Sequence, residues 1–334
     1  MEGYVDIIMV NFRQPQLTIE CIQSLEAERE VFSNFTVWLC ENGSGDDSAS
    51  ILNKAIKGNN WGGWVQFRVS EDNTGFSGGN NLLIHEALQK APNAKDEHSY
   101  VFLLNNDTIV RPGALQKLVG FMNTQQVHAC SSRLEYPDGT LQRSAFRFFS
   151  FRSELASAIS FGPISNLFSS KQVAPEQPTS PAVVDWVAGA SLMVSRKAVR
   201  EVGLLDHGFW TYFEDVDYCH RLKVHGFPLW YVPEARIVHL VGASSGITSD
   251  KAWLKRRPAY WFQARRRYFL KYQGFIKTCV IDIAELVGSA LGLLIKKLRK
   301  QDPHRPIHFL KDFLAESALC KGRKLPIVEA PKPK

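Results

Sequence analysis

The sequence predicts an α/β protein built on a mostly parallel sheet with helices on both faces. Two observations support this class. In the first half, short apolar runs alternate with segments in which apolar residues recur at helical spacing. That alternation is the signature of β-α-β units. Polar clusters also follow the predicted strands, where parallel sheets bind their ligands.

Each predicted element has its own signal. Four buried strands are predicted at 4–10, 35–40, 65–69 and 100–106. Helices are predicted at 18–28, near 47–57 and at 80–91. In the first helix Ile19, Ile22 and Leu25 recur on one face. A strand pair is expected at 183–195, followed by a second core segment from Val202 to His239.

The domain boundaries follow from changes in pattern. Residues 1–250 are predicted to form one domain, in which the irregular, Phe- and Pro-rich segment 135–182 is a lid or insertion. A basic helical appendage is expected at 251–325. The final segment, 326–334, is predicted to be disordered.

Composition and charge narrow the class of protein. The chain has 334 residues, of which 45% are hydrophobic, so general disorder is excluded. Residues 1–250 carry 20 Lys and Arg against 27 Asp and Glu, whereas 251–334 carry 20 against 6. Because the larger part is acidic, we expect no nucleic-acid partner.

Cysteines and the N-terminus indicate the compartment. The six cysteines are scattered singly, without the spacing of a disulfide or zinc framework. The first residues lack a basic leader before the apolar run, so we expect the chain to fold in the cytoplasm.

Four polar clusters are candidates for chemistry, although each has an ordinary alternative. They are ENGSGDDS (41–48), NTGFSGGNN (73–81), NND (105–107) and FEDVDYCHR (213–221), with His239 after a further strand. The glycine-rich cluster could cradle a phosphate or be a bare turn, and it matches neither the dinucleotide fingerprint nor the P-loop. Asp107 could bind a hard cation or end a turn. His239 alone would usually be structural.

Taken in order, these motifs resemble the family 2 glycosyltransferases, most closely their bacterial rhamnosyltransferase-like branch. The resemblance covers roughly 4–275 and rests on VNF (10–12), ENGS (41–44), NTGFSGGNN, LLNND (103–107) and the segment 202–226. It implies the A-type glycosyltransferase fold, which is a Rossmann-like nucleotide-binding sheet joined to an acceptor-binding half.

The resemblance also implies a donor site. Its residues would be Asn11, Glu41, Asn42, Asn73, Gly75, Asn80, Asn106 and Asp107. The family usually has Asp where Glu41 stands, and the longer Glu side chain keeps the acceptor oxygens. The metal motif is also reduced, because Asn105 stands at its first position and Asp107 supplies the carboxylate.

Metal and catalytic roles come from the same resemblance. Asp107 and His239 would bind a divalent cation, Mg²⁺ or Mn²⁺, that neutralises the donor diphosphate. Asp215 matches the catalytic base of an inverting transfer, and Glu214 would orient or support it. An exchange of roles between these two acids is the main alternative.

The acceptor side is predicted from aromatic residues. Trp186, Gly189, Trp210 and Tyr212 are candidates for the walls of a sugar or diphosphate pocket, and core packing explains them nearly as well.

The basic C-terminal region carries two patterns. Residues 255–272 interleave arginines with aromatics, and an apolar stripe then runs down one helical face. The stripe is Ile276, Val280, Ile283, Val287, Leu291, Leu294 and Leu298. We expect 255–300 to contact an anionic membrane. Packing of the stripe on the domain itself, or on a second copy in a homodimer, is the alternative.

These observations predict a metal-dependent, inverting glycosyltransferase that is cytoplasmic and peripheral to the inner face of the cell membrane. It would move a sugar, with rhamnose a candidate, from a nucleotide-sugar donor to a lipid-linked or polysaccharide acceptor in cell-surface glycan synthesis. The alternatives are a UDP-hexose or galactofuranose donor on the same fold, or a non-catalytic glycan-binding protein.

Overall fold

The structure is a computed structural model that describes residues 3–90, 98–151, 153–154, 173–240, 255–302 and 305–328. By internal contacts the chain divides into two compact units. The first unit contains Met1–Ala145, Glu176–Asp206 and Asp215–Ser244, and the second contains Phe146–Pro175, His207–Glu214 and Ser245–Lys334. The domain boundary predicted at 250 stays a prediction, and much of the predicted lid at 135–182 lies outside the described residues.

The described chain contains eleven strands and nine α-helices, with a short 3-10 helix at Trp61–Gly63. The strands are β1 Tyr4–Asn11, β2 Phe35–Asn42, β3 Val65–Ser70, β4 Ser99–Leu104, β5 Thr108–Val110, β6 Ala129–Glu135, β7 Ala145–Phe146, β8 Ala182–Val184, β9 Trp186–Val187, β10 Ser191–Ser195 and β11 Leu229–His239. The helices are α1 Pro15–Glu28, α2 Ser48–Gly58, α3 Gly75–Lys90, α4 Ala114–Gln125, α5 Arg196–Val202, α6 Glu214–Val224, α7 Ala259–Leu298, α8 Phe309–Glu316 and α9 Ala318–Lys321. The predicted α/β class is therefore confirmed.

The first unit is organised by one sheet, in the order β3-β2-β1-β4-β10-β6-β11-β5 with β8 paired to β11. Strands β3, β2, β1 and β4 are parallel, as predicted. Beyond β4 the sheet is mixed, because β10 is antiparallel to both of its neighbours. The prediction of a parallel sheet therefore holds for β3, β2, β1 and β4 and not for the rest of the sheet.

The strand order reverses beside β1, and this position sets where a ligand can bind. The chain runs outward from β1 to β2 and β3, and then returns to place β4 on the other side of β1. In open α/β sheets such a switch leaves a crevice at the carboxyl ends of the strands. Asn11 ends β1, and Asn105 to Asp107 follow β4, so both polar motifs lie at this crevice.

A buried ion pair supports the same strands from within. Asp6 on β1 accepts hydrogen bonds from Arg196 at the start of α5 (3.0 Å from Nε) and from the indole of Trp38 on β2 (2.8 Å). Asp6 and Arg196 are both fully buried. Since a buried charge without its partner is strongly destabilising, this contact fixes β1, β2 and α5 against each other.

In the second unit, α7 reverses direction at Gly274. That residue has φ of 71° and ψ of 173°, which is not helical. The Arg265 guanidinium lies 2.7 Å from the Asp282 carboxylate, although residues 17 apart in a straight helix would be about 25 Å apart. The two arms, 259–273 and 275–298, therefore lie side by side.

Several predicted membrane-facing arginines are used inside this unit. Arg265 is buried between Glu154 (2.9 Å) and Asp282, and Arg266 is buried against Glu316 (3.1 Å). Arg267 donates to the carbonyl of Pro326 (2.8 Å). Since these side chains hold the unit together, the arginines of 265–267 are structural, and the expectation of membrane contact is wrong for these three residues.

The apolar stripe on the second arm of α7 faces solvent. Its seven side chains are between 47% and 76% exposed, whereas Asp282 and Glu285 on the other face are buried. By length and composition α7 is the one helix of the described residues that could cross a membrane, but 44% of its most apolar window is buried in the protein. The second arm of α7 therefore exposes its apolar face to solvent and packs against the protein with its opposite face.

The C-terminal segment is partly fixed. Val328 is buried and donates its N–H to the carbonyl of Gly208 (3.0 Å). Disorder was predicted from 326 onward, and at 326–328 the structure instead places the chain against the second unit. The remainder, 329–334, lies outside the described residues.

Candidate active site

The crevice beside β1 contains a chain of buried amides. The Thr18 hydroxyl donates to Asn11 Oδ1 (2.9 Å) and accepts from Asn106 Nδ2 (2.9 Å). These contacts join the end of β1, the first turns of α1 and the segment after β4. Asn11 is fully buried, and its Nδ2 has no acceptor among the described residues. A buried donor of this kind is suited to a ligand carbonyl or hydroxyl.

Glu41 orders the loop after β2. One of its carboxylate oxygens accepts hydrogen bonds from the N–H (3.0 Å) and the hydroxyl of Ser44. The Ser44 hydroxyl in turn accepts a hydrogen bond from the N–H of Arg13 (2.8 Å). Arg13 lies just after the end of β1. The longer side chain of Glu at this position therefore reaches back to its own loop and ties the ends of β1 and β2 together.

Asn42 connects the two predicted donor loops. Its Oδ1 accepts from the Thr74 hydroxyl (2.8 Å), and its Nδ2 donates to the carbonyl of Gly75 (3.0 Å). Asn73 Oδ1 accepts from the N–H of Gly75 (2.9 Å). Because these bonds satisfy groups at the helix start, α3 begins at Gly75, five residues earlier than predicted.

The glycine-rich segment is therefore largely helical. A Cβ at Gly79 would lie 3.0 Å from both methyl groups of Val10, so this glycine lets α3 pack closely on β1. Asn80, predicted to line the donor pocket, is buried and donates to the carbonyl of Phe76 (2.8 Å) within its own helix.

Gly43 occupies a position that only glycine fits. Its φ is +66°, and an added Cβ would clash with the backbone of Asp72 and Asn73. We expect Gly43→Ala to lower the free energy of unfolding by more than 2 kcal/mol, because a backbone clash adds to the strain of positive φ. The affinity for the nucleotide donor that the family resemblance implies should fall as well. Thermal and denaturant unfolding and a binding titration measure both effects.

Gly45 provides the matched control. It has a φ of +67°, but an added Cβ would meet nothing within 4 Å. Gly45→Ala should therefore cost only about 1 kcal/mol. Equal losses in the two variants would show that the close approach of the loops at Gly43 does not matter.

Asp107 and His239 are brought together by strand pairing. His239 ends β11 and pairs with Thr108 at the start of β5. Asp107 Oδ1 lies 3.4 Å from His239 Nε2, and the Asp107 carbonyl accepts from the N–H of Leu240 (2.9 Å). The two predicted metal ligands, separated by 131 intervening residues in sequence, are thus neighbours.

This pair fits part of a divalent-cation site. It offers one carboxylate and one imidazole, and a cation there would complete its coordination with donor phosphate oxygens and water. The described residues contain no group of three or more His, Cys, Asp or Glu that could bind a metal by themselves. A cation held here would depend on the substrate for its remaining ligands.

Asp215 is held at the start of α6 by backbone donors. Its Oδ1 accepts from the N–H of Val216 (2.8 Å) and its Oδ2 from the N–H of Gly189 (3.2 Å). Its surroundings largely exclude water, and this desolvation raises the pKa of Asp215, while the two N–H groups oppose the rise. A carboxylate with a raised pKa is a stronger base, and this one retains partial solvent exposure.

Gly189 connects Asp215 to the sheet. The next residue, Ala190, accepts a hydrogen bond from the N–H of Asn105 (3.1 Å), directly after β4. A Cβ on Gly189 would lie 3.4 Å from the Cβ of Asp215 and 3.6 Å from Phe76 in the first turn of α3. Asp215 is therefore linked through Gly189 to the start of the metal motif and to the glycine-rich segment.

The remaining predicted site residues are one acid and three aromatic residues. Trp186, on β9, is half-buried. Glu214 is buried and begins α6. Trp210 and Tyr212 belong to the second unit, where both rings lie against Tyr260, at 5.2 and 6.0 Å between ring centroids. Tyr212 has φ of 68°, an uncommon conformation for a bulky residue and one found most often at functional sites.

Sequence reasoning missed the residues that fix the predicted ones. Thr18, Ser44 and Arg13 make the hydrogen bonds that orient Asn11 and Glu41. Thr18 and Arg13 lie outside the predicted motifs, and Ser44, although part of ENGS, was given no role of its own. The available signal was their position, because each lies within one turn or loop of the carboxyl end of a parallel strand.

Two family models match the chain. One, described as glycosyl transferase family 2, matches residues 6–182. The other, glycosyl transferase family group 2, matches residues 100–305. Each match covers more than half of the chain.

Two curated proteins are similar in sequence. The rhamnosyltransferase WbbL of Escherichia coli (strain K12) is 28% identical over 167 residues, which are 49% of this chain and 60% of that protein. The N-acetylglucosaminyl-diphospho-decaprenol L-rhamnosyltransferase of Mycobacterium tuberculosis is 26% identical over 267 residues, which are 74% of this chain and 82% of that protein.

A solved structure agrees in fold. The mannosyltransferase PcManGT from Pyrobaculum calidifontis, in complex with GDP-Man and Mn²⁺, superposes with a TM-score of 0.55 at 13% sequence identity. The match covers 97% of this chain and 88% of that one. The predicted A-type fold, with a C-terminal helical region, is thereby confirmed.

Proposed function

The chain belongs to glycosyl transferase family 2, and on that premise we propose that it transfers a sugar from a nucleotide-sugar donor to a lipid-linked acceptor in cell-surface glycan synthesis. The observation that carries the proposal is the position of Asp215. Its carboxylate is oriented by two backbone N–H groups and linked through Gly189 to the end of β4, where a nucleotide would bind.

Rhamnose is the sugar we propose. The E. coli and M. tuberculosis relatives are both rhamnosyltransferases, and the second is named for an acceptor in which N-acetylglucosamine is joined by a diphosphate to decaprenol. An acceptor of that chemistry combines a sugar hydroxyl, a diphosphate and a long hydrocarbon. A UDP-hexose or galactofuranose donor is the competing specificity.

The proposed mechanism is a single displacement. Asp215 takes the proton of an acceptor hydroxyl while that oxygen bonds to the anomeric carbon and the bond to the nucleotide diphosphate breaks. The raised pKa of Asp215 favours this proton transfer. Because the acceptor oxygen attacks opposite the leaving group, the configuration at the anomeric carbon inverts. Glu214, the residue before the base, would orient Asp215 or support it electrostatically.

In this mechanism the donor is bound by three asparagine side chains and by the pair Asp107 and His239. Asn11, Asn42 and Asn106 would position the nucleotide at the carboxyl ends of β1, β2 and β4. Asp107 and His239 would hold Mg²⁺ or Mn²⁺, which when bound supplies positive charge to the diphosphate leaving group.

The test is a donor screen with the full chain. Thermal unfolding is followed with dTDP-rhamnose, UDP-hexoses and UDP-galactofuranose, each with and without Mn²⁺, and transfer is then assayed with a prenyl-diphosphate-linked sugar. We expect dTDP-rhamnose to raise the melting temperature, since a ligand that binds the folded state stabilises it by mass action. Stabilisation and transfer with a UDP-sugar alone would overturn the rhamnose assignment. Absence of both with every donor would overturn the proposed function.

We place the protein in the cytoplasm, at the inner face of the cell membrane. The exposed stripe on α7 supports this, because an amphipathic helix can bury such a face among lipid headgroups. Basic side chains at the end of the helix, such as Lys297 and Lys300, would add roughly 1 kcal/mol each near anionic lipid.

Membrane binding by the stripe gives a specific prediction. Val287→Glu combined with Leu291→Glu should abolish cosedimentation with phosphatidylglycerol vesicles, because two charges would enter the apolar contact. Leu319→Glu is the control, since Leu319 is exposed in the same unit outside the stripe. Unchanged sedimentation of the double variant would remove the stripe from membrane contact. A change in its mass in solution would instead favour a homodimer.

A further inference from the structure

The second unit contains a cavity that the proposed transfer leaves unused. Its volume is about 340 Å³, which is the size of a small-molecule site. Aromatic rings of Phe149, Phe213 and Trp261 form much of its wall. All of its lining residues belong to the second unit.

The charged residues of this cavity carry an excess of positive charge. The lining includes four cations, Arg257, Arg265, Lys296 and Arg305, and two acids, Glu154 and Glu285. Both acids already have partners, because Glu154 lies 2.9 Å from Arg265 and Glu285 lies 3.2 Å from Arg305. The net charge of the lining is therefore +2 with its carboxylates already paired.

Arg257 is the side chain that most needs an anion. Its Nε is buried and has no hydrogen-bond acceptor among the described residues, and its guanidinium lies 4.2 Å from the ring centroid of Trp261. Burial lowers the pKa of Arg257, Tyr212 and Glu285 oppose that change, and the nearby charge of Arg305 adds to it. A phosphate group would relieve both the desolvation and the repulsion between the two arginines.

The geometry supports a lipid as the carrier of that phosphate. Next to these cations the lining carries five aromatic rings, those of Phe149, Phe213, Trp261, Phe309 and Phe313. A hydrocarbon chain against these rings would bury apolar surface, while its headgroup met the cavity cations.

We propose that this cavity binds the diphosphate of a prenyl-diphosphate lipid, with Arg257, Lys296 and Arg305 as its cationic ligands and the aromatic rings of the lining as the contact for the first units of the prenyl chain. This inference rests on the proposed function for its choice of lipid. It adds the place where the acceptor diphosphate is held and the residues that hold it.

Calorimetric titration of the full chain tests the proposal with three probes. These are farnesyl diphosphate, inorganic pyrophosphate and farnesol. We expect farnesyl diphosphate to bind at least about tenfold more tightly than either of the others, since it alone engages both the cations and the apolar contact. Equal binding of pyrophosphate would overturn the lipid assignment and leave a site for free phosphate.

Substitutions of the cavity cations test whether farnesyl diphosphate binds in the cavity. Arg257→Gln and Lys296→Gln should each weaken farnesyl diphosphate about tenfold, because each removes a charge-assisted contact. Arg323→Gln is the matched control, because Arg323 is exposed in the same unit and does not line the cavity. Thermal unfolding shows whether each variant is folded, and Lys296→Gln provides the test if Arg257→Gln is not. Wild-type affinity in both cavity variants would overturn the proposal.

The same measurements separate this inference from the proposed function. If no donor supports sugar transfer but farnesyl diphosphate binding depends on Arg257, the cavity assignment stands and the transferase proposal fails. If transfer occurs and farnesyl diphosphate binding is unaffected by the cavity variants, the acceptor diphosphate is held elsewhere and the cavity assignment fails.

Discussion

Replacing Asp215 with Asn is expected to reduce sugar transfer by about 1000-fold, within the range for loss of a general base. The substitution keeps the size of the side chain and an oxygen that can accept from Val216 or Gly189, so the start of α6 should stay in place. Donor binding should be close to that of the wild type. Initial rates with saturating donor and acceptor, together with a donor titration, measure the two effects separately.

The pH profile adds a second readout for Asp215. Burial raises the pKa of this carboxyl, and a base must be deprotonated to act, so activity should rise as pH increases through that pKa. The residual activity of Asp215→Asn should not show this dependence at low pH.

Glu214→Gln and Asp138→Asn are the comparisons that assign the role. Asp138 is exposed in a turn after β6, so its variant should keep normal activity. Glu214→Gln should retain more activity than Asp215→Asn. If the order were reversed, Glu214 would be the base and Asp215 its support. Near-normal transfer by Asp215→Asn and Glu214→Gln alike would remove both from the chemistry.

Replacing Asp107 with Ala is expected to abolish the effect of Mn²⁺ on donor binding. The substitution removes the carboxylate of the pair that lies 3.4 Å from His239 Nε2. Losing the proposed carboxylate ligand should weaken metal affinity by about 100-fold or more, since even residues outside the ligand shell change metal affinity by 10- to 100-fold. A donor titration at increasing Mn²⁺ measures this without relying on turnover.

His239→Gln should give an intermediate result, because the carboxylate remains to hold the cation. Thr108→Val, next to Asp107, is the control for a local change without loss of a ligand, although Thr108 is buried and its folding must be checked. A wild-type Mn²⁺ response in Asp107→Ala would exclude Asp107 from the metal site.

The sequence predicted the first half of the fold well because its strands are buried on both faces. Strands β1, β2 and β4 read as continuous apolar runs, and their observed bounds agree with the prediction within one or two residues. The start of α3 was missed, because it depends on the side chains of Asn42 and Asn73, and Asn42 lies at the end of β2, more than 30 residues before the helix. Periodicity cannot report such a long-range contact.

The second unit shows a different limit. Helical periodicity identified the apolar stripe on α7, and its seven residues share one exposed face. It could not show that Asp282 and Glu285 point inward, where Asp282 lies 2.7 Å from Arg265, because that contact depends on the reversal at Gly274. A cluster of arginines beside aromatics therefore looked like a lipid-binding surface, whereas Arg265 and Arg266 hold two helices together.

The candidate site was predicted through motifs rather than through geometry. Asp107 and His239 became neighbours only when β5 and β11 paired, and the contact of Gly189 with Asp215 likewise depends on long-range packing. Residue types and order indicated the chemistry, while the spatial relations came from the sheet.

The proposed reaction is a single displacement onto an acceptor hydroxyl with Asp215 as the base. Proton NMR of the product formed from dTDP-rhamnose and a prenyl-diphosphate-linked sugar tests this mechanism. We expect a new glycosidic bond whose anomeric configuration is opposite to that of the donor, and no such product with Asp215→Asn. A product that retains the donor configuration would overturn the single displacement, because retention requires two displacements or a different mechanism.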